Sequence, residues 1–534
     1  MTRFFTCIAI ILLFTSCKKE DAGAAKNGET LDSATIITPA IVKDNERKIA
    51  IDTAQLSVFK SQLLVNFYKS SGYETVWGNL KKRQFVLFQL EKAEDYGLNP
   101  ADYHVKKLQD FEKKISELND KQLIAYDLNL TMNFQKFLLH LYKGKLDPKK
   151  LYTDWELKAK SFNVNEVLIT AFNDDNLETA LLKSQPKTYT YQKLINALKL
   201  INTFPEDSVH RIQSVDKIVL NDTNSEVIKI KKRLRFWKDL PKSESLSAVY
   251  NQKTFDAVKK FQSRHGLISD GVVGKGTVAA LNYSKEKRKH QIIANLERWR
   301  WYTDEFTGNY LIINIPDYSL QVVEEKDTVL SRNVIVGTNK RRTPILTSTL
   351  KTIVFNPTWT VPPTILKEDV VPSMQKNRNY LAKKNITIYD KTGTVVDPQD
   401  WNENNPHAYR YVQKPGRSNS LGLMKILFPN NHSVYLHDTN HRGSFDRQNR
   451  SMSSGCVRIE NPLDLAEHLL NDAKNWSTEK IDSLIVTEKT TGVRITKKYE
   501  LYQWYWTAWS EPNQLQFRPD IYNLDADLYA KLRN

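Results

Sequence analysis

The hydrophobic pattern of this chain changes its period once, at about residue 310, and this change restricts the fold more than any other feature. Before it, apolar side chains recur every three or four residues, as on one face of a helix; Leu63, Leu64, Phe67 and Tyr68 form one such group. After it, branched residues alternate, as in Leu311–Ile315, which is typical of β-strands. The sequence therefore predicts a multidomain protein with an α-helical N-terminal part and a mostly-β C-terminal part.

The chain has 534 residues, more than one hydrophobic core supports, so two to four domains are expected. We predict a helical domain over residues 51–210, a small three-helix domain over 222–284 and a mostly-β domain over 290–510. The mostly-β domain carries an insert at about 362–415, with a helical stretch near 369–382, and residues 511–534 form a C-terminal tail. Asn251 and Asn461 are expected to cap helices. Further strands are predicted at Thr352–Phe355, Leu423–Phe428, Val434–His437, Ser483–Val486 and Val493–Thr496.

The first 17 residues have the layout of a secretory signal. A positive charge at Arg3 precedes the apolar run Phe4–Phe14, which is too short to span a membrane as a stable helix. The run leads into Thr15-Ser16-Cys17 and resembles a bacterial lipoprotein signal, in which Cys17 would become the lipidated first residue. Residues 18–50 are polar and aperiodic, as expected of a flexible tether. The sequence thus predicts an exported protein that is lipid-anchored to a bacterial membrane through Cys17 and faces the periplasm.

Net charge says less than cysteine usage about what the protein does. The formal charge of +17 favours an acidic partner, but the basic residues are spread along the chain. Charge therefore does not distinguish nucleic acid, acidic wall polymers and a plain solvated surface. Of the three cysteines, Cys7 and Cys17 lie in the signal, so that Cys456 is the one free thiol of the mature body. This excludes a disulfide framework and directs attention to the thiol.

The segment Tyr435–Arg458 contains the ingredients of a cysteine-based acyl-transfer site. His437 is expected at the end of a strand, and Cys456 follows Gly455 in a turn. A thiol is only slightly ionised at neutral pH, so a nearby imidazole has to take its proton. Exposed backbone N–H groups can stabilise an oxyanion, and the glycine lets a substrate approach the backbone closely. All of these groups occur within about twenty residues.

The same segment resembles the catalytic motif of the L,D-transpeptidase family, a histidine followed some twenty residues later by Ser-x-Gly-Cys-x-Arg. Ser454 stands where many members have a second histidine, which is typical of the large subgroup in which a YkuD-type catalytic domain follows a scaffold domain and a peptidoglycan-binding domain. The resemblance covers nearly the whole chain after Ala50. Other strings that fit this subgroup are Gly97–Pro100, Phe261–Gly274, Asn295–Trp301, Arg342–Pro344, Asn419–Gly422 and Tyr505–Trp509.

The resemblance implies that Cys456 attacks the carbonyl of the third residue in a tetrapeptide stem of peptidoglycan and releases the terminal D-Ala. A side-chain amine of a second stem would then resolve the thioester and give a 3→3 cross-link. His437 would be the sole base. The backbone N–H groups of Gly455 and Cys456 are candidates for the oxyanion hole, and Tyr435 is either a further oxyanion donor or a packed side chain.

Other positions are predicted to contact the substrate. Arg458 either orients the loop or a substrate carboxylate, or forms a structural ion pair. Trp359 belongs to a segment that resembles the capping loop of this subgroup, where it would shape a cleft or simply pack. Ser453, Ser454 and Asn419 complete the candidate substrate-binding set.

Two other enzyme classes have partial sequence support. The strings Ser57–Lys60, Ser331–Asn333 and Lys391–Gly393 occur in the order of a serine penicillin-binding enzyme, but the first lies at the edge of the tether and the third is typical of a hairpin turn. A zinc site at His437 and His441 would need a helix where the pattern is β. No Rossmann or P-loop pattern is present, so we expect no cofactor and no metal, and we predict no nucleic-acid partner.

The acyl acceptor stays open at this level. The same site could act as an L,D-carboxypeptidase with water or as an exchange enzyme with a free D-amino acid. A non-catalytic wall-binding lipoprotein is a further alternative, against which the retention of both His437 and Cys456 argues. The expected partners are peptidoglycan stem peptides and a membrane, and the sequence does not indicate an oligomeric state.

Overall fold

The structure is a computed structural model in which residues 47–213, 216–303, 305–512 and 514–534 are described. The predicted signal with Cys17, and the predicted tether as far as residue 46, lie outside the described residues. Ile49 is buried and Ala50 forms an antiparallel bridge with Glu74, so the fold begins slightly before the predicted end of the tether. None of the helices in these ranges is long and apolar enough to cross a bilayer.

The N-terminal part is helical, as its pattern predicts. Its central helix carries Asp127, whose carboxylate accepts hydrogen bonds from the backbone N–H groups of Val76 and Trp77 at 2.9 and 2.8 Å. The helix ends at Gly144, whose φ of 86° suits glycine. The elements are α1 Thr53–Ser57, α2 Gln62–Ser70, α3 Leu80–Glu91, α4 Val105–Lys113, the central α5 Asp120–Lys143, α6 Pro148–Leu151, β1 Trp155–Glu156, α7 Val164–Asn173, α8 Leu177–Lys183 and α9 Tyr189–Asn202.

A three-helix unit follows, in agreement with the prediction. It consists of α10 Glu226–Phe236, α11 Gln252–Arg264 and α12 Lys275–Leu281. The Asn251 side chain caps α11 by accepting a hydrogen bond from the backbone N–H of Thr254 at 3.1 Å. The apolar faces that the sequence indicates, including Val258 and Phe261, are fully buried.

The helix α13, Lys285–Trp301, leads into the mostly-β part. Over the described residues, twelve strands join in one sheet of order β1-β5-β16-β2-β3-β4-β14-β12-β11-β6-β15, and β13 pairs with β4 off this path. The strands from here on are β2 Asn309–Asn314, β3 Ser319–Glu324, β4 Asp327–Gly337, β5 Ile345–Thr349, β6 Thr352–Phe355, β7 Trp359–Thr360, β8 Ile386–Tyr389, β9 Val395–Val396, β10 Arg410–Gln413, β11 Met424–Leu427, β12 Leu436–His437, β13 Ser451–Ser453, β14 Val457–Ile459, β15 Thr491–Arg494, β16 Tyr499–Trp504, β17 Ala508–Glu511 and β18 Gln514–Phe517.

The predicted insert folds around a core of its own. Its strands form a separate sheet of order β7-β10-β8-β9. Its helices are α14 Pro363–Ile365, a π-helical turn Leu366–Val370, α15 Val371–Lys376 and α16 Tyr380–Lys383. Val361, Leu366, Met374 and Tyr411 are among the residues of this second hydrophobic cluster. A body with its own core can hold a fixed shape over the main sheet.

Two sequence-based predictions in the C-terminal part are wrong. Residues Ser483–Val486 were expected to form a strand but end a helix; the helices here are α17 Pro462–Leu470, α18 Ala473–Trp476 and α19 Thr478–Val486. Asn461 precedes α17 with a left-handed φ of 45° and makes no capping hydrogen bond with its side chain.

The predicted C-terminal tail is an integral part of the fold. It contributes to the hairpin of β17 and β18 and forms α20, Asp525–Arg533. The Asp525 carboxylate pairs with the buried Arg298 guanidinium of α13 at 2.5 Å, and Thr507 donates to the same carboxylate at 2.7 Å. These buried contacts attach the end of the chain to the helix that leads into the sheet.

Candidate active site

The strands β12 and β14 place the predicted catalytic side chains on one face of the sheet, and the neighbouring strand β11 adds a lysine beside them. In the β11–β12–β14 ladder, Lys425 lies opposite His437 and His437 lies opposite Arg458; we call these three residues the central row. One step back along the strands, Tyr435 neighbours Cys456, because the Val457 N–H donates to the Tyr435 carbonyl at 3.2 Å. Side chains two residues apart on a strand share a face, so all five project to the same side.

His437 is a neutral imidazole at neutral pH. Its side chain is buried, with 5% of the residue exposed. Burial, followed by the positive charge of Arg458 and then that of Lys425, lowers the pKa of His437 to about 3, while the backbone of Asp438 opposes the shift. Within the described residues, Nδ1 of His437 is buried without a hydrogen-bond partner. An uncharged ring in this position can accept a proton but does not hold one at rest.

Cys456 is half-buried and lines the cleft beside this row. Burial raises the pKa of its thiol, and the backbone N–H of Tyr435, then Arg458 and Lys425, oppose that rise. Among the residues that the structure describes, no carboxylate is one of the groups that shift the pKa of this thiol. The groups around the thiol therefore all favour its ionised form, against the cost of desolvation.

The loop before the thiol, residues 453–456, is held by hydrogen bonds that the sequence did not indicate. Gly455 has a φ of 113°, a left-handed conformation that favours glycine. Its N–H, predicted to help form the oxyanion hole, donates instead to the Ser453 hydroxyl at 3.2 Å. That hydroxyl donates to the Cys456 carbonyl at 2.6 Å, so Ser453, predicted to contact substrate, holds the loop together. Among the described residues, the Cys456 N–H has no acceptor and is free for an oxyanion.

The other predicted substrate contacts divide between cleft and core. Asn419 is 1% exposed and does not line the cleft. Its side-chain amide donates hydrogen bonds to the carbonyls of Pro357 and Lys414. Asn419 therefore positions a loop, and its predicted role in substrate binding is corrected. Ser454 is exposed and lines the cleft. Trp359 lines it too, and a hydrogen bond from its side chain opposes the rise in the pKa of Tyr435 that burial causes.

The cleft has a volume of about 490 Å³ and lies between the sheet and the insert. The insert contributes Trp359, Pro362, Pro363 and Ile365, so one wall is apolar. No aspartate or glutamate is among the described residues that line it, although several arginines are. The cleft is therefore suited to a ligand that carries negative charge.

Arg341 joins the insert to the catalytic loop, a role that the sequence did not indicate. Its guanidinium bonds Glu368 and Asp369 of the insert at 2.6 and 2.7 Å, and it donates to the Ser454 hydroxyl at 2.9 Å. A single cation thus fixes the insert to the turn that presents Cys456.

Lys425 is the second residue that sequence reasoning missed. It is the polar position in the short apolar strand β11, and nothing in the sequence shows which strands flank β11. Only the register of β11 against β12 places it beside His437. Across the part of the chain that the structure describes, no three His, Cys, Asp or Glu side chains form a group that could hold a metal.

Comparisons with known proteins agree with this architecture. Three family models match in order: "Scaffold domain" over residues 62–198, "Putative peptidoglycan binding domain" over 223–281 and "L,D-transpeptidase catalytic domain" over 308–493. A Haemophilus influenzae protein named "Putative L,D-transpeptidase" is 30% identical over 499 residues, which is 88% of this chain and 96% of that protein. The three matches coincide with the helical, three-helix and mostly-β parts of the fold.

Two solved structures of L,D-transpeptidases also match part of the chain. The one from Xylanimonas cellulosilytica is 14% identical and covers 55% of this chain and 99% of that chain, with a TM-score of 0.18. The one from Stackebrandtia nassauensis is 12% identical and covers 55% and 97%, with a TM-score of 0.21.

Proposed function

This chain belongs to the L,D-transpeptidase family, and we propose that it forms 3→3 cross-links in peptidoglycan by acyl transfer through Cys456. The observation that carries the proposal is the placement of the Cys456 thiol in a cleft, on the same sheet face as a neutral His437. A thiol and an uncharged imidazole side by side are what a cysteine acyltransferase needs.

In the first half-reaction, the Cys456 thiol gives its proton to His437 and the sulfur attacks the carbonyl of the third stem residue. The new C–S bond forms and the C–N bond to the terminal D-Ala breaks. His437 passes the proton to the leaving amine, so D-Ala departs as a free amino acid and the enzyme is left as a neutral thioester.

In the second half-reaction, the side-chain amine of another stem attacks the thioester carbonyl. The C–N bond of the cross-link forms and the C–S bond breaks. The amine proton passes to His437 and returns to the sulfur, which restores the starting state. Water in place of the amine would give hydrolysis, and a free D-amino acid would give exchange.

The tetrahedral intermediate needs a donor for its oxyanion. The Cys456 N–H is suited to this role, because within the described residues it has no other acceptor. The Gly455 N–H is engaged by Ser453, so we assign it no such role. Tyr435, which lies next to the thiol on the neighbouring strand, is the candidate for a second donor.

The substrate class follows from the charges in the cleft. Stem peptides carry free carboxylates, and the cleft is lined by arginines without acidic residues among the described ones. Arg458 forms no ion pair or hydrogen bond in the described part of the chain, and its Nε is buried without a partner. A half-buried guanidinium without a partner in the described part of the chain favours the carboxylate-binding role over the structural ion pair.

The two other domains and the N-terminus complete the proposal. The scaffold and peptidoglycan-binding matches support peptidoglycan as the partner of the whole chain. We further propose export and a lipid on Cys17, on the signal-like sequence of residues 1–17. Labelling cells with a palmitate analogue tests this: the native protein should be labelled and Cys17→Ser should not.

Incubation of the purified protein with a disaccharide-tetrapeptide tests the activity. Mass spectrometry should show release of D-Ala and a dimer linked between the two third residues. Cys456→Ala should abolish both products and His437→Gln should lower them by at least a hundredfold. Ser57→Ala, the nucleophile of the penicillin-binding alternative, is the matched control and should retain full activity.

The products also separate the alternatives. Release of D-Ala without dimer would identify a carboxypeptidase, and a changed terminal residue in the presence of free D-amino acids would identify exchange. No product from any acceptor would refute catalysis and leave a wall-binding protein.

A further inference from the structure

Lys425 is half-buried in the catalytic sheet and has no counter-ion in the described part of the chain. It lies opposite His437 on one side of its strand and opposite Val354 of β6 on the other. Its Nζ is 5.4 Å from the centre of the Tyr435 ring, and it forms no hydrogen bond or ion pair within the described residues. A desolvated ammonium is costly, so an unpaired one here calls for a functional explanation.

The position of Lys425 is not that of a substrate contact. It does not line the cleft, whereas Tyr435, His437 and Cys456 do. Its charge acts on His437 and Cys456, and the negative charge of Cys456 in turn opposes the lowering of the pKa of Lys425 by burial. Any effect of Lys425 on catalysis has to act through these neighbours.

The charges around the central row are almost all positive. Beyond Arg458, the row continues with Ile335 of β4, so that apolar residues bracket the two cations. The nearest carboxylate in sequence, Asp438, follows His437 and points to the opposite face, where it accepts from Arg442 and from the Leu423 N–H. The remaining titratable groups that face the cleft are Arg341, Arg342, Tyr435 and His432. Arg341 is paired with Glu368 and Asp369, and the His432 ring lies 3.3 Å from the Glu156 carboxylate.

The positions of Lys425 and Arg458 on either side of His437 determine which positive charge can stabilise a Cys456 thiolate. A proton held by His437 would place an imidazolium between two cations, and no carboxylate of the described residues lines the cleft to offset it. A negative charge on the neighbouring sulfur, in contrast, is attracted by both cations. The geometry therefore favours a Cys456 thiolate beside a neutral His437 over a thiolate–imidazolium ion pair.

We propose that Lys425 is a positioning residue that, together with Arg458, supplies the positive charge that stabilises the Cys456 thiolate. The S–H bond breaks with its electron pair left on sulfur. In the free enzyme the proton leaves through His437 to solvent, and during turnover the same ring takes up a proton only transiently and delivers it to the leaving amine. The proposal rests on the proposed function only in taking Cys456 as the nucleophile, and it adds that His437 conducts the proton without being the counter-ion.

The pH dependence of thiol alkylation tests this role without any peptide substrate. The full-length protein is treated with iodoacetamide, a neutral reagent, from pH 5 to 10, and the Cys456 peptide is quantified by mass spectrometry. Removal of the charge in Lys425→Met or Lys425→Gln should raise the midpoint of the profile by about one pH unit, which is a tenfold slower reaction below the midpoint. Lys425→Arg, which keeps the charge, should stay close to the native midpoint.

A second readout separates electrostatics from structural damage. Removing a cation beside the imidazole should raise the pKa of His437 as well, which NMR of ¹³C-labelled histidine reports. Loosened packing alone would expose the thiol and bring its midpoint down towards that of a free cysteine. Lys351→Met, an exposed lysine at the start of β6, is the matched control and should move neither value.

An unchanged alkylation midpoint in both Lys425→Met and Lys425→Gln would overturn the proposal, as would a Lys425→Arg variant that behaves like them. Failure of the proposed function looks different. In that case the tetrapeptide assay yields no product with the native protein, while the alkylation shift is still observed.

Discussion

The buried imidazole of His437 predicts a specific acid sensitivity. The ordinary pKa of histidine is about 6.5, and in the folded protein that of His437 is lowered to about 3. As the pH falls below about 6.5, His437 therefore becomes protonated in the unfolded chain, whereas in the folded chain it stays neutral down to about pH 3. The contribution of His437 to stability is complete above pH 6.5 and is lost between these two values.

The size of the loss follows from the width of that window. At pH 4.5 the unfolded imidazole lies about two pH units below its pKa, which corresponds to about 3 kcal/mol. The side chain is only 5% exposed, so solvent screening reduces this figure little. His140, whose pKa burial lowers to about 3, and His265 add losses of their own, but these occur equally in a His437 variant.

Urea unfolding at pH 7.5 and 4.5, followed by tryptophan fluorescence, measures the difference. His437→Gln removes the titrating group, so its free energy of unfolding should fall by about 3 kcal/mol less than that of the native protein over this interval. Equal losses in the two proteins would refute the reasoning, since they would mean that His437 titrates normally in the fold.

Three further substitutions test separate contacts. Gly455→Ala forces a left-handed backbone on alanine and brings its Cβ to 3.3 Å from the Arg342 carbonyl oxygen. The substitution should lower the free energy of unfolding by about 1–3 kcal/mol and abolish D-Ala release. Normal D-Ala release would contradict the assigned loop geometry. Asp525→Asn leaves the buried Arg298 without its partner and should destabilise the fold by about 3–5 kcal/mol in urea unfolding. Arg341→Gln breaks the bridge to the insert, so hydrogen exchange over residues 362–376 should accelerate while that of the main sheet stays unchanged; uniform exchange would argue against a bridging role.

The sequence predicts the helical and mostly-β parts of the fold correctly because hydrophobic periodicity depends directly on which side chains are buried. Helical spacing in the first half and alternation after residue 310 both reflect which side chains face a core. The Asn251 cap was predictable because capping is local: the side chain bonds a backbone N–H three residues on. His437 and Cys456 could be paired because the family motif already specifies both.

The errors arise where local sequence is ambiguous. Ser483–Val486 is a short apolar run, which periodicity does not assign to strand or helix, and its place at the end of the longer α19 decides the matter. Asn461 has a capping residue type, but its backbone is left-handed where a capping residue is usually extended, and its side chain makes no capping hydrogen bond. Ser453 and Asn419 were assigned to substrate because the sequence does not show the backbone groups that occupy their side chains.

Of the charges at the site, the sequence indicated only Arg458, through the family motif. Lys425 is distant from Cys456 in sequence, and a shift of one residue in the register of β11 would move it to the other face of the sheet. Arg341 likewise meets the insert only through tertiary packing. The parts played by Lys425 and Arg341 are thus visible only once strand order, register and packing are known.

Intact-protein mass spectrometry after incubation with a carbapenem tests the central claim most directly, because an acylated nucleophile retains the drug. The account predicts one covalent adduct per chain, located on the Cys456 peptide and absent from Cys456→Ala. A native protein that stays unmodified, or an adduct that persists in Cys456→Ala, would contradict acyl transfer through this thiol.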